Sequence, residues 1–144
     1  MADSAHDGVA LVRRLWALFQ GRRWSEAQAL FASDAVCTWW ATGERIVGAD
    51  AIIHVNRVYP EGWTIELIEV NALADGRVHS TVRVPLAGGP TVYANSLFTL
   101  RDGCIVSLDE YWSTVEAPPA WRDGTGLPGW SRLPADTRGE VPVL

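Results

Sequence analysis

The sequence predicts an α+β domain in which three helices come first and then pack on one face of a large, mainly antiparallel sheet. Three observations predict it. Apolar residues recur at helical spacing as far as Pro60. Beyond Pro60 the period falls to two and stays there for four segments. Those segments are separated by Asp75-Gly76, Gly88-Gly89-Pro90 and Asp102-Gly103, residues that close antiparallel hairpins. A sheet of this size with its helices on one side wraps around them and encloses a cavity.

The first helix is expected from Ser4 or Ala5 to Gln20. Val9, Val12, Trp16 and Phe19 recur along one side with Leu11, Leu15 and Leu18 beside them, and Gly21 supplies the stop. Ser25, with Gln28 three residues on, reads as a capping box opening a short second helix whose apolar side is Ala27, Leu30 and Phe31. The run from Ala35 to Ala41, AVCTWWA, has strand character, and Thr42-Gly43-Glu44 turns it back. Asp50 is placed to cap a third helix, AIIHVNRVY, on which Ile52, Val55, Asn56 and Tyr59 share a face before Pro60 ends it. Strands follow at about Trp63 to Ala72, Arg77 to Leu86, Thr91 to Leu100 and Cys104 to Thr114. After Val115 the chain changes character: five of the eight prolines lie there, with Trp121 and Trp130 among glycines. This stretch reads as an irregular arm whose tryptophans dock on the domain or on a second subunit.

Composition bounds the function. A chain of 144 residues suits one domain with a real core. The net charge is −5, all twelve bases are Arg, and no more than two are adjacent, which argues against a nucleic-acid surface. Cys37 and Cys104 fall in predicted strands and read as free thiols in a reducing cytosol. No segment approaches the ~18 apolar residues of a membrane span, and MADSAHDG does not read as an export signal, so a soluble cytoplasmic protein is expected. His6 lies near a terminus expected to be mobile, His54 beside the apolar face of the third helix, and His79 on a strand face with Thr81 and Arg83. With one histidine per element and no cysteine at ligand spacing, no metal and no cofactor are expected. Gly124-Thr125-Gly126-Leu127-Pro128-Gly129 matches a dinucleotide fingerprint by letter only, because it follows a proline-rich arm rather than a strand and Pro128 would break the helix required.

The chemistry concentrates in the last strand. Alternation puts Val106, Leu108, Glu110 and Trp112 on one side and Ile105, Ser107, Asp109 and Tyr111 on the other. Glu110 thus shares an apolar face, where shielding from water raises a carboxyl pKa. Two roles are open to it: a general acid/base in a pocket, or a buried ion pair with an arginine such as Arg45 or Arg122. Trp16, Trp39 or Trp40, Tyr59 and Trp112 are candidates for the wall of a pocket suited to a flat apolar ligand, and equally for core. Asn56 suits either the pocket mouth or a helix-end carbonyl.

The order helix, short helix, strand, Gly48-Ala49-Asp50-Ala51-Ile52 helix, then a meander ending in Asp102-Gly103-Cys104-Ile105 and Glu110-Tyr111-Trp112, resembles the nuclear-transport-factor-2-like superfamily and its SnoaL-like branch over about residues 5 to 115. The resemblance implies a cone-shaped α+β barrel domain over residues 1–115 with an arm over 116–144, an apolar pocket between helices and sheet, and a homodimer. It implies isomerase, cyclase, dehydratase or epoxide hydrolase chemistry, or no catalysis at all. The isomerase branch's Tyr falls on Leu15, its general-base Asp on Trp39 and its second Asp on Ser96, so steroid isomerisation is not expected. The polyketide cyclases' terminal acid falls on Glu110, although Ser107, Leu108 and Asp109 depart from the motif before it. The expected site is therefore Glu110 as acid/base, with Leu15, Trp16, Trp39, Asn56, Tyr59, Val82, Ser96, Leu108 and Trp112 lining a pocket for an apolar small molecule. A non-catalytic dimeric module whose own tryptophans fill the cavity is the alternative.

Overall fold

Helix α1 runs over Ala2–Gln20 in a computed structural model that describes residues 2–122 and 126–134. Its apolar side, Val12, Leu15, Trp16, Leu18 and Phe19, is buried, and His6 is an exposed helical residue rather than part of a loose end. The left-handed residue that stops α1 is Arg22 (φ 57°) and not Gly21. Arg23 N donates to Leu18 O at 2.9 Å and Arg22 N to Phe19 O at 3.0 Å, the paired bonds of a Schellman motif.

Helix α2 covers Trp24–Gln28, two residues earlier than a Ser25 N-cap implies. Arg23 occupies the N-cap without a side-chain bond, so Ser25 lies inside the helix and caps nothing. Phe31 is not on this helix either; it opens β1, Phe31–Trp39, which pairs with β2, Glu44–Val47. Helix α3 spans Ala49–Arg57 behind Gly48 at φ 103°, again with no side-chain cap. Asp50 sits in the first turn, where its charge favours the helix N-terminus, and its Oδ1 accepts from Ala51 N at 2.9 Å. Tyr59 lies just beyond the helix.

Strands β3 (Glu66–Ala72), β4 (Val78–Val84), β5 (Val92–Arg101) and β6 (Cys104–Thr114) form the expected meander, and Trp63 lies outside β3, paired with Leu86 as an isolated bridge. Among the described residues the sheet has six strands in the order β2-β1-β6-β5-β4-β3, open at both edges. Every pairing is antiparallel except β1 with β6. Helix α1 crosses β3 and β4 while α3 lies on β1, so the core between them joins Leu15 and Ile52 to Val82, Phe98 and Leu108. No helix among the described residues is long and apolar enough to cross a membrane.

The β5–β6 turn has Asp102 at φ 52° and Gly103 at φ 75°, the two positive values of a type I′ hairpin. A Cβ at Gly103 would meet nothing within 4 Å, so Gly103→Ala isolates the backbone term. It should destabilise by about 1–2 kcal/mol, read as a lower urea midpoint with an unchanged slope.

Among the described residues beyond β6 the chain is irregular apart from a single 3₁₀ turn at Ala120–Arg122. Val115 N still donates to Thr91 O at 2.8 Å. Trp121 is 75% exposed with the Arg122 guanidinium 5.4 Å from its ring centroid, whereas Trp130 is half-buried. Gly124 and Thr125 of the glycine-rich stretch lie outside the described residues, and residues 126–134 contain no helix.

Candidate functional site

Strand β6 lies between β5 and β1, and its register decides what Glu110 meets. Thr99 pairs with Ser107 but Leu100 pairs with Ile105, so Val106 is one residue in excess on β6. The inward face is therefore Ile105, Leu108, Glu110 and Trp112; Ile105, expected outside, is fully buried, and Val106 is only half so. The same shift sets Glu110 opposite Ser96 on β5, while the parallel pairing sets it opposite Trp39 on β1.

Both neighbours hold the carboxyl. Ser96 Oγ donates to Glu110 Oε2 at 2.9 Å, and Trp39 Nε1 donates to Oε1 at 3.0 Å. Cys37 Sγ, on the same face of β1, is a weak third donor at 3.7 Å. No arginine takes part: the ion pairs among the described residues leave Glu110 out, and neither Arg45 nor Arg122 reaches it. Burial raises the Glu110 pKa above the ordinary glutamate value, and the bonds from Trp39, Ser96 and Cys37 oppose that rise. The Cys37 thiol is pushed far above its usual range, by burial first and then by the Glu110 charge. It is a donor here and not a nucleophile.

Glu110 faces a cavity of about 80 Å³. Helix α1 contributes Trp16 and Phe19, α3 contributes Asn56, and the segment after α3 contributes Tyr59, Trp63 and Ile65. The sheet closes the other side with Val82 and Val84 of β4, Val92 and Ala94 of β5, and Trp112 of β6. Trp112 is 38% exposed and forms the rim, its ring 4.8 Å from that of Trp39. Trp16 is fixed through Nε1, which donates to Ser80 Oγ at 3.0 Å. Asn56 lines the cavity, and its Nδ2 donates to Ile52 O at 2.8 Å, a carbonyl inside α3 rather than at its end.

Trp63 is positioned by the residue that ends α1. The Arg22 guanidinium lies 3.2 Å from the Trp63 ring centroid and donates to Trp63 O at 2.8 Å. It also holds both Glu61 oxygens, at 2.9 and 3.1 Å, which lowers the Glu61 pKa. These bonds offset the left-handed backbone of Arg22 and fasten the segment from Tyr59 to Ile65 over the cavity.

Of the residues expected at the site, Glu110, Trp16, Asn56, Tyr59, Val82 and Trp112 come together around this space. Leu15 and Leu108 are core, and Trp39 and Ser96 stand behind Glu110 as its donors. Sequence reasoning missed Phe19, Trp63, Ile65, Val84, Val92 and Ala94. Val92 and Ala94 were within reach, since they sit four and two residues before Ser96 on the same face. Trp63 was not, because it reads as a strand residue. Among the described residues no three His, Cys, Asp or Glu side chains gather as a metal site.

The SnoaL-like domain family matches residues 12–108, about two thirds of the chain. This chain belongs to the SnoaL-like domain family. The matched stretch of this SnoaL-like domain ends at Leu108, just before Glu110. Its fold is similar to that of a candidate ketosteroid isomerase from Kribbella flavida, with 27% identity, a TM-score of 0.76, and coverage of 91% of this chain and 93% of the other. An NTF2-like protein of unknown function from Burkholderia xenovorans aligns at 18% identity and TM-score 0.69, over 85% and 94% of the two chains. An LEH-like epoxide hydrolase of M. tuberculosis aligns at 17% identity and TM-score 0.61, over 75% and 84%. No curated protein matches the sequence significantly. These likenesses place the SnoaL-like domain in the NTF2-like α+β fold.

Proposed function

We propose that this SnoaL-like domain binds a small, largely apolar molecule in the cavity, with the Glu110 carboxyl as its principal polar contact. One observation carries the reading. Glu110 is 7% exposed, borders the cavity, and has no cationic partner among the described residues. An ion pair that tied a loop or the arm to the sheet would have placed an arginine there. The space beside the acid also weighs against a cavity filled by its own tryptophans.

A thermal-shift screen tests this, using steroids, polyketide-like aromatics, terpenoids and small epoxides. A ligand at about 100 times its dissociation constant adds ~2.7 kcal/mol, which in a domain of this size raises the melting temperature by roughly 5–10 °C. The reading expects at least one hit whose shift changes in Glu110→Gln. A panel of hits indifferent to that substitution would move the binding site elsewhere.

A second reading is favoured by the raised proton affinity of Glu110: the acid shuttles a proton at a carbon or oxygen centre of the bound molecule, without a cofactor. The likeness to a candidate isomerase and to an epoxide hydrolase supports proton chemistry on this scaffold. Leu15, Trp39 and Ser96 argue against the steroid isomerase variant, since none is an acid or a phenol; two of them serve Glu110 instead. On a substrate found by the screen, Glu110→Gln should cost about 10²-fold or more in turnover. Unchanged turnover would leave binding alone.

A further inference from the structure

We infer that the ligand of this cavity is an organic cation, a compact ammonium group carried on an apolar skeleton; this rests on reading the cavity as a ligand site. Five of its walls are aromatic: Trp16, Phe19, Tyr59, Trp63 and Trp112. Neighbouring rings stand steeply to one another, at 81° for Trp16 and Phe19 and 70° for Tyr59 and Trp63, so they form the sides of a cage rather than a stack. The electron-rich faces of such rings attract a desolvated cation, Trp most strongly. Trp63 already takes a guanidinium, with the Arg22 carbon 3.2 Å from its ring centroid.

Glu110 is the one charged side chain on the cavity wall among the described residues. Trp39, Ser96 and Cys37 all direct donors at its oxygens, an arrangement suited to a carboxylate, which only accepts. A buried carboxylate with three donors and no counter-ion lacks a positive charge, and a cationic ligand supplies it. The size of the space agrees. Apolar cavities of about 150 Å³ accept a benzene ring, so 80 Å³ takes a head group while the remainder of the molecule leaves past Trp112 at the rim.

Choline and 3,3-dimethylbutan-1-ol provide the test, because they differ by a charged nitrogen in place of a neutral carbon. Each is titrated calorimetrically into the full-length protein from pH 5.5 to 8.5. The titratable groups facing Glu110 are Cys37 from β1 and Tyr59 from the segment after α3; α1, β4 and β5 present none to the cavity. Cys37 stays a neutral thiol throughout this range. Choline should bind about tenfold or more tightly than the alcohol, with an affinity that rises with pH as Glu110 ionises. Glu110→Gln should bring choline down to the level of the alcohol, and Trp112→Leu, at the half-open rim, should weaken choline with the carboxyl still in place.

An alcohol that binds as tightly as choline, a choline affinity that falls with pH, or no binding of choline at all overturns the inference. If choline fails while the alcohol or a neutral compound from the screen binds in a manner sensitive to Glu110→Gln, the cavity remains a ligand site for neutral molecules. If nothing binds in either experiment, both readings fall.

Discussion

Phe98→Ala should lower the unfolding free energy by about 3–5 kcal/mol, and with it the melting temperature by roughly 10 °C. Phe98 is fully buried and sits in register between Val78 on β4 and Leu108 on β6, at the centre of the sheet's inner face. Above it lies Trp16, edge-on with ring centroids 6.4 Å apart. Truncation loses the transfer energy of the ring and also leaves a hole, and the cost of the hole depends on whether neighbours collapse into it. Here Trp16 is held by its bond to Ser80 Oγ, and Val78 and Leu108 are held by strand pairing. The upper part of the range is expected for that reason. Phe98→Leu keeps part of the volume and should cost much less. Chemical denaturation followed by circular dichroism separates the two, and a loss below about 1.5 kcal/mol for the alanine variant would mean that the site relaxes.

The meander was legible because its turns are chemical: Gly76 at φ 89° and the Asp102-Gly103 pair require residues that tolerate the left-handed region, and the sequence supplies them. Helix positions that face the sheet were legible from spacing alone. What local pattern could not supply was pairing. Nothing near Phe31–Trp39 states that β1 lies parallel to β6, some seventy residues away, yet that pairing brings Trp39 and Cys37 to Glu110. The excess residue in β6 was equally hidden. Ile105 and Val106 are both β-branched, so alternation reads well with either one inside, and without the shift Glu110 would oppose Asn95 instead of Ser96. At two helix ends the structure departs from the local signal. Arg22 takes the left-handed position next to an available Gly21 because its guanidinium gains Glu61 and Trp63, and Ser25 gives way to an N-cap at Arg23, two residues earlier.

Glu110→Gln should be more stable than the natural protein at neutral and alkaline pH, with a difference that vanishes in acid. In the folded protein the pKa of Glu110 is raised, with burial as the first cause. The unfolded chain releases that proton near the ordinary glutamate value of about 4.3. Between the two values the folded state binds more protons than the unfolded state, so stability falls as pH rises. The contribution is complete below the ordinary value and is lost as pH climbs through the raised one. Gln has the shape of the neutral acid and no proton to lose. Its oxygen can accept from Trp39 Nε1 and its amide nitrogen can donate to Ser96 Oγ, so both strand neighbours keep a bond to the side chain. Glu61 and Asp75, whose pKa values are lowered, act in the opposite sense in acid, but they are common to both proteins and cancel in the difference. Melting curves of the two proteins from pH 4 to 9 should therefore separate progressively, and parallel curves would mean that the carboxyl titrates like an exposed one. A separation would also bear on function. A residue that folds less well than its uncharged isostere, facing a cavity with donors arranged around its charge, trades stability for what it does with a ligand.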